Sequence, residues 1–205
     1  MPTEDFTQFR RDHIVKACQK LYAEQGIDAI NIGRVGELTN IGRTAIYNYF
    51  KTKEEIVLAM ATKDYAELND DLERILEGDE VLSKEKFAAK LAKTLCAHRI
   101  LLEVVSTNLR YIENSSRPEL LKDFKVQYGR SCGLLDELTG KFLGYDEASK
   151  ERFRELFFTF WHGIIPICEP TAKQLQAIKD AGLTRKKQDT QEFVCKVLCA
   201  IIGCE

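Results

Sequence analysis

Four polar side chains between positions 43 and 48 have the chemistry and the spacing to read a nucleic acid. Positions i, i+1, i+4 and i+5 of a helix share one side, and here they hold Arg43, Thr44, Tyr47 and Asn48. Arginine can pair bidentately with guanine, asparagine can pair with adenine, and threonine can touch the methyl group of thymine. A small domain gains nothing from facing such a row to solvent. The pattern therefore favours a helix that enters a DNA groove over the alternative, the solvated face of a purely structural helix bundle.

Two short helices joined by a tight turn are predicted to position this row. The Asn31 side chain can accept a hydrogen bond from the free amides at the start of the first helix. After it, apolar residues recur at Ile32, Val35 and Leu38. Asn40 tolerates a positive φ and can reverse the chain within the few residues that a helix-turn-helix allows. The first helix is therefore amphipathic and ends at a turn over residues 39–41.

The second helix is predicted from about Gly42 to Phe50. Ala45, Ile46 and Phe50 lie on the side opposite the polar row. This helix is therefore expected to bury one face and to offer the other to a ligand.

A capped third helix is predicted to follow at once. Thr52 and Glu55 have the spacing of a capping box, in which each side chain satisfies a free backbone amide. Lys53 then occupies the first helical position, where its charge opposes the helix dipole. A phosphate placed there would interact favourably with the amides, the dipole and the ammonium group together.

The stretch IYNYFKTKEEI, residues 46–56, resembles the signature of TetR-family transcriptional regulators. The resemblance covers roughly residues 10–60. Two positions depart from the family pattern, since Asn40 stands where glycine is usual and Gly42 where a serine cap is usual. The resemblance implies an all-α protein with a helix-turn-helix DNA-binding domain at residues 1–52 and a helical ligand-binding and dimerisation domain at residues 53–205.

The same resemblance assigns roles to individual residues. Side chains directed at base edges would be Arg43, Thr44 and Asn48. Side chains directed at phosphates or sugars would be Asn31, Arg34, Tyr47, Tyr49 and Lys53. Tyr47 could contact a base edge as well as the backbone. Arg10 and Arg11, near the start of the first helix of the chain, are either phosphate contacts or solvated charges.

Composition limits the remaining possibilities. The 205 residues are 44% hydrophobic and 30% charged, with a net charge of -2, so bulk charge gives little support to DNA binding. The amino terminus has no signal-peptide pattern and no apolar run approaches the ~18 residues that span a membrane, so a cytoplasmic protein is expected. Seven cysteines in irregular spacing predict reduced thiols.

Neither a metal site nor an enzyme is predicted. The histidines, His13, His98 and His162, are scattered and lack metal-ligand spacing. Cys195, Cys199 and Cys204 could form a thiol sensor, but an apolar helix favours cysteines that pack as small hydrophobes. No glycine-rich phosphate loop or paired-carboxylate motif is present, and no cofactor is expected.

The rest of the chain also has helical periodicity. Helices are predicted over about 9–25, 53–77, from Ser83 onwards, 98–112, from a second capping box at Ser116–Glu119 to about 143, and from Asp146 onwards. Residues 166–189 are expected to form a loop or a short irregular helix.

Residues 153–165 and 193–202 are apolar around much of the helix circumference, which requires burial on two sides. Pairing of these helices with the same helices of a second copy would give a four-helix bundle. The alternative is that both lie in the core of one monomer. The resemblance favours a homodimer through the C-terminal helices, about 147–166 and 189–204.

Several polar or aromatic residues on apolar helices are candidates for lining a small-molecule pocket, namely Tyr65, His98, Asn108, Tyr111, Tyr128, Cys132 and Trp161. Each could equally be an ordinary core residue. The sequence predicts a regulator, more readily a repressor than an activator, that binds a palindromic operator and is released by an unidentified effector. The rival interpretation is a helical scaffolding module that has lost DNA binding.

Overall fold

The computed structural model describes residues 4–204. Its elements are α1 (Glu4–Gln25), a 3₁₀ turn (Ile27–Ala29), α2 (Ile32–Thr39), α3 (Arg43–Ile46), α4 (Lys53–Glu77), α5 (Lys84–Ala97), α6 (Arg99–Thr107), α7 (Leu109–Asn114), α8 (Pro118–Leu143), α9 (Glu147–Trp161), α10 (Ile164–Cys168), α11 (Ala172–Asp180) and α12 (Thr190–Ile202). Residues 4–204 contain no strand, which confirms the all-α prediction. None of these helices is long and apolar enough to cross a membrane.

The first three helices form a small unit around one apolar centre. Ile14 and Cys18 of α1, Val35 of α2 and Ile46 of α3 are fully buried there. The first helix ends at Gln25 as predicted, but it begins at Glu4 and not near Phe9.

The predicted turn between α2 and α3 is confirmed. Asn31 accepts a hydrogen bond from the Arg34 amide at 3.0 Å, and Asn40 adopts the left-handed conformation with φ 52°. The predicted apolar face of α2 is wrong at one position. Leu38 is exposed, and Thr39 is the buried residue at the end of the helix. Positions 32, 35 and 39 follow the helical repeat more closely than 32, 35 and 38.

The helix α3 is shorter than predicted, ending at Ile46 and not at Phe50. Residues 47–49 continue as tight turns in which the amides of Tyr49 and Phe50 donate to the Ile46 carbonyl at 2.9 and 3.0 Å. Because α3 ends here, the chain turns so that Phe50 is fully buried in the core just before α4 begins. Gly42 provides no side-chain cap at the start of α3, so this short helix lacks the stabilisation that a serine cap would give.

The long helix α4 has the predicted bounds and lies at the centre of the fold. Its 25 residues span roughly 37 Å, and it packs against α1, α6, α7 and α8. Thr52 caps it by accepting from the Glu55 amide at 3.1 Å. The capping box is not reciprocal, because the Glu55 carboxylate accepts from the Lys51 amide, at 2.6 Å, and not from that of Thr52.

Two predictions for the middle of the chain are corrected. The helix predicted over 98–112 is divided into α6 and α7 at Asn108, whose φ of -137° leaves the helical region. The second capping box is absent, because the Ser116 hydroxyl donates to the Ile112 carbonyl at 2.7 Å. Arg117 instead precedes α8 without a side-chain cap, and Pro118 occupies the first helical position, where its missing amide costs nothing.

The carboxyl-terminal part also differs in detail. The predicted run 153–165 breaks at His162 and Gly163, which separate α9 from α10. Within 166–189, α11 forms a regular helix behind a true capping box of Thr171 and Gln174, although none of its residues is buried.

Candidate DNA-binding face and its connection to the C-terminal helices

The predicted polar row lies on the outer face of α3 and the turn that follows it. Arg43, Thr44 and Asn48 are exposed, and Tyr47 is half-buried. Beneath them Ile46 is fully buried, so the outward direction of the row is fixed by the core. Arg43 makes no ion pair with any residue in 4–204 and is free to bind an anion or a base edge.

Flanking residues surround this face, and some already have partners. Arg34 donates to the Gln25 side chain at 2.7 Å, and Asn31 uses its carbonyl oxygen as the cap of α2. Lys53 is exposed at the first position of α4, as predicted. Tyr49 is half-buried. The donor groups of Lys53 therefore remain available, whereas Arg34 would have to exchange its partner.

Lys51 is a member of this surface that sequence reasoning missed. Its ammonium group donates to the Tyr47 carbonyl at 2.7 Å, and the side chain is exposed. A fourth cation, after Arg34, Arg43 and Lys53, therefore belongs to this surface and lies beside Tyr47. The position of Lys51 just before the Thr52 cap could have indicated a place on this surface. A lone lysine in a turn, however, is usually only a solvated charge.

The Glu55 carboxylate connects this unit to the C-terminal helices. Arg117 donates to Glu55 through Nε, at 2.7 Å to Oε1, and through Nη2, at 3.0 Å to Oε2. The same Nη2 donates to the Tyr49 carbonyl at 2.9 Å. Thr52 adds a bond of 3.3 Å to the Ser115 carbonyl. The turn after α3, the start of α4 and the start of α8 are thus held at one point.

The protonation of Glu55 follows from these contacts. Burial would raise its pKa, but the Arg117 guanidinium and the amides of Lys51 and Arg117 favour the ionised form and hold the pKa below its usual range. The carboxylate is only 1% exposed, so its charge depends on these partners for compensation.

A second connection between the two parts runs through Tyr22. Its hydroxyl donates to the Glu103 carboxylate, which joins α1 to α6. The amino-terminal unit is therefore attached to the C-terminal helices at two separate points.

Four of the seven predicted pocket residues lie in one region. Tyr65 and Trp161 are buried with ring centroids 6.0 Å apart. Tyr128 packs on Phe158, which in turn stacks on Trp161. Cys132 lies on α8, one helical turn beyond Tyr128. The indole Nε1 of Trp161 is buried without a hydrogen-bond partner among the described residues.

The other three lie elsewhere. Asn108 and Tyr111 are exposed on the outside of the α6–α7 junction. His98 is buried between α5 and α6, where Nδ1 lies 2.9 Å from Asp64 Oδ1 and Nε2 lies 3.0 Å from Asp71 Oδ2. The seven residues therefore do not form a single site.

His98 is held between two carboxylates of α4. Burial alone would lower its pKa, but the hydrogen bonds to Asp64 and Asp71 raise the pKa above its usual value. Its environment is ionic, unlike the aromatic surroundings of Tyr65 and Trp161.

The cysteines on α12 are half-buried. Burial raises the pKa of both Cys195 and Cys199. A thiol with a raised pKa is largely protonated at neutral pH and is a poor nucleophile.

An apolar groove runs between α9 and α12. Each helix buries one stripe of side chains against the rest of the chain. Phe157 is the middle residue of the stripe on α9, and Leu198 is the middle residue of the stripe on α12. The other side of both helices lines the groove, with the apolar residues Leu156, Phe193, Val197, Ala200 and Ile201 and, among them, the cations Arg152 and Lys196. One copy of the chain therefore leaves part of these two apolar helices uncovered.

Two family models match the chain in succession. The model of bacterial regulatory proteins of the tetR family matches residues 14–60. The model of the tetracyclin repressor-like C-terminal domain matches residues 62–203, more than half of the chain. The first match contains the candidate DNA-binding face, and the second contains the aromatic region and the groove.

Individual relatives and solved structures are similar to this chain at low sequence identity. The HTH-type transcriptional regulator BetI of Rhizobium meliloti (strain 1021) is 22% identical over 130 residues, 63% of this chain, and the match spans 64% of that protein's own length. The fatty acid degradation regulator FadR from Bacillus halodurans superposes with a TM-score of 0.58 at 21% identity over 95% of each chain. FadR from Bacillus subtilis, solved in complex with stearoyl-CoA, gives a TM-score of 0.58 at 18% identity over 93% of this chain and 97% of that one.

Proposed function

Since the chain belongs to the TetR family of bacterial transcriptional regulators, we propose that it binds a palindromic DNA operator as a homodimer and is released by a small-molecule effector. The observation that carries this proposal is the exposed polar face of α3 above a fully buried Ile46. A face of this kind is fixed in direction by the core and offers base-reading groups outward. The proposed division of labour is DNA binding by residues 1–52 and effector binding and dimerisation by residues 53–205.

The proposed contacts with DNA are those that the family resemblance implies. Arg43, Thr44 and Asn48 read base edges, and Tyr47 reads a base or a sugar. The remaining positions, Asn31, Arg34, Tyr49 and Lys53, bind the phosphate backbone. Lys51 joins this group, because its exposed ammonium lies beside Tyr47. Phosphate contacts of this kind fix the register of the protein on DNA while the base contacts supply the sequence preference.

The proposed dimer forms through the groove between α9 and α12. Covering Leu156, Phe193 and Val197 with the same helices of a second copy would remove the exposed apolar surface from water. A symmetric dimer would place two copies of α3 at half-sites one DNA turn, about 34–36 Å, or a multiple of it apart.

The proposed effector site is the aromatic region around Tyr65, Tyr128, Cys132 and Trp161. The unpartnered Nε1 of Trp161 supports this location, because an acceptor on a ligand would relieve the cost of burying that donor. FadR from Bacillus subtilis was solved with stearoyl-CoA, at 18% identity to this chain.

The proposed signal passes from this region along α4 and α8 to the Glu55–Arg117 contact. An effector acts only through its different affinity for two arrangements of the protein. An effector that shifts α8 against α4 would move Arg117 and, through the Tyr49 carbonyl, the turn that supports the polar face. Repression relieved by the effector is the proposed direction of control.

The test of DNA binding is selection from a random duplex library at about 100 mM salt, followed by sequencing of the retained DNA. Enrichment of an inverted repeat would support the proposal and would supply an operator for measuring variants. The folded protein failing to enrich any sequence, after removal of small molecules, would contradict it and favour the scaffolding interpretation.

A pair of arginine variants then tests the face itself. Arg43→Ala should weaken operator binding by roughly 10-fold or more, since a good bidentate contact is worth about 1–3 kcal/mol. Arg185→Ala is the matched control, because Arg185 is also exposed but lies in the segment between α11 and α12, outside the candidate DNA-binding face. Equal effects of the two variants would show that α3 does not read DNA.

A further inference from the structure

The geometry around His98 points to a divalent metal site, and we propose that Asp64, Glu67 and His98 bind a transition-metal ion that prefers oxygen and nitrogen ligands. Each residue places one ligand atom within 4.8 Å of the other two. Asp64 and Glu67 are one turn apart on α4, and His98 reaches them from the junction of α5 and α6. The site is independent of the proposed DNA binding.

The two buried ligands are already close enough together for this role. Asp64 Oδ1 lies 2.9 Å from His98 Nδ1, close to the spacing of two ligand atoms that share an edge of an octahedral metal site. Two ligands at about 2.1 Å from an ion and at right angles to each other are about 3 Å apart. Glu67 is exposed, and its carboxylate lies within 4.8 Å of a ligand atom of both Asp64 and His98.

Hydrogen bonds behind the ligands match those that support metal sites in other proteins. A metal-binding histidine usually donates its second ring nitrogen to a carboxylate, and His98 Nε2 lies 3.0 Å from Asp71 Oδ2. A metal-binding carboxylate is usually held by a further donor, and Asp64 Oδ2 accepts from the Leu101 amide at 2.8 Å. This arrangement leaves Nδ1 and Oδ1, 2.9 Å apart, as the two atoms that would bind the ion.

Charge also favours a cation. Three carboxylates, those of Asp64, Glu67 and Asp71, surround one imidazole, and His98 and Asp64 are each only 7% exposed. Arg74 pairs with Asp71 and compensates one of the three. A divalent ion would offset the charge of the other two, with His98 binding as the neutral imidazole that a metal ligand must be.

One nitrogen and two carboxylates select the class of ion. Imidazole suits zinc, iron and nickel, whereas carboxylates suit manganese and magnesium, so a mixed set favours a first-row divalent ion that keeps bound water in its open positions. Zn²⁺ should bind more tightly than Mn²⁺, following the general order of these ions. Sequence spacing could not reveal the site, because its ligands come from positions 34 residues apart that only the fold brings together.

Mn²⁺ is the probe for the first test, because thiolates bind Zn²⁺ and the chain has seven cysteines. Titration of the full-length protein is followed by the loss of the electron paramagnetic resonance signal of free Mn²⁺. We expect one ion per chain and a rise in the thermal midpoint of unfolding of about 5 °C at 100-fold excess over Kd. Competition by Zn²⁺ should release the bound Mn²⁺.

Variants distinguish this site from adventitious binding. Glu67→Gln should weaken Mn²⁺ binding at least 10-fold without changing the unfolding midpoint of the metal-free protein, because Glu67 is exposed. His98→Gln should abolish binding. Glu77→Gln is the matched control, an exposed acid on the same helix outside the site. No saturable binding, or binding that Glu67→Gln leaves unchanged, would overturn the proposal even if His98→Gln fails to fold.

Discussion

The Arg117 guanidinium encloses the buried Glu55 carboxylate, with Nε 2.7 Å from Oε1 and Nη2 3.0 Å from Oε2. The contact joins residues 62 positions apart. It ties the start of α4 to the start of α8, and Nη2 extends it to the Tyr49 carbonyl behind the candidate DNA-binding face. A geometry with two parallel donors restricts relative movement more than a single bond would.

Arg117→Ala should destabilise the protein. Glu55 is 1% exposed and would lose its compensating charge, whereas Arg117 is partly exposed, so we expect a loss of roughly 2–3 kcal/mol, below the range for a fully buried pair. Urea unfolding of the variant and the parent measures it. Lys125→Ala, which breaks the more exposed pair with Glu113, should cost under about 1 kcal/mol. Equal losses would contradict the special role of the Glu55 contact.

The contribution of Glu55 should depend on pH in a defined direction. Its pKa in the folded protein lies below the ordinary value of 4.5, so folding favours the ionised form. The stabilisation is therefore complete above about pH 5 and is lost as the pH falls through the folded pKa. Urea unfolding of the parent and of Glu55→Gln between pH 7 and pH 3 should show a difference in unfolding free energy that narrows below about pH 4.5. A difference that widens in acid would contradict this assignment.

Asn40 should tolerate glycine and reject a β-branched residue. Its φ of 52° suits glycine at no steric cost, so Asn40→Gly should change the unfolding free energy by less than about 0.5 kcal/mol. Asn40→Val should cost about 1–2 kcal/mol, because the left-handed conformation crowds Cβ. Asn48→Val serves as the control, since Asn48 does not have a positive φ. If both valine variants lost equal stability, the turn geometry would not be the cause.

Operator binding should be strongly salt-dependent, with a measurable share from Lys53. Each lost phosphate contact reduces the slope of log K against log salt by about 0.9. A dimer with Lys53→Gln loses two contacts, so its slope should be shallower by about 2. Lys93→Gln, which changes an exposed lysine on α5, should leave the slope unchanged. An unchanged slope for Lys53→Gln would remove this residue from the DNA-binding surface.

Two exposed leucines test the proposed dimer. Leu156→Arg places a charge in the α9–α12 groove and should convert the protein to a monomer in sedimentation velocity experiments. Leu175→Arg, on α11, alters a leucine of similar exposure, 47% against 43%, outside the groove and should leave the dimer intact. A dimer that survives Leu156→Arg would move the interface to another face.

The sequence determined the local elements and the family. Asn31, Asn40 and Thr52 each act on backbone within three residues of themselves, so their capping and turn roles could be read from the chain and are confirmed. The bounds of α4 followed from its cap at Thr52 and its continuous apolar period. The stretch at residues 46–56 identified the family because its motif is local.

Only the tertiary structure decided which distant groups meet. The sequence paired Glu55 with its own cap, whereas folding paired it with Arg117, because a buried carboxylate gains more from a guanidinium than from one more amide. Likewise His98 was predicted among aromatic residues, and the packing of α6 against α4 placed it between Asp64 and Asp71. Hydrophobic periodicity fixes which side of a helix is buried, but it does not fix which helix covers that side, and that choice sets the partners of every buried charge.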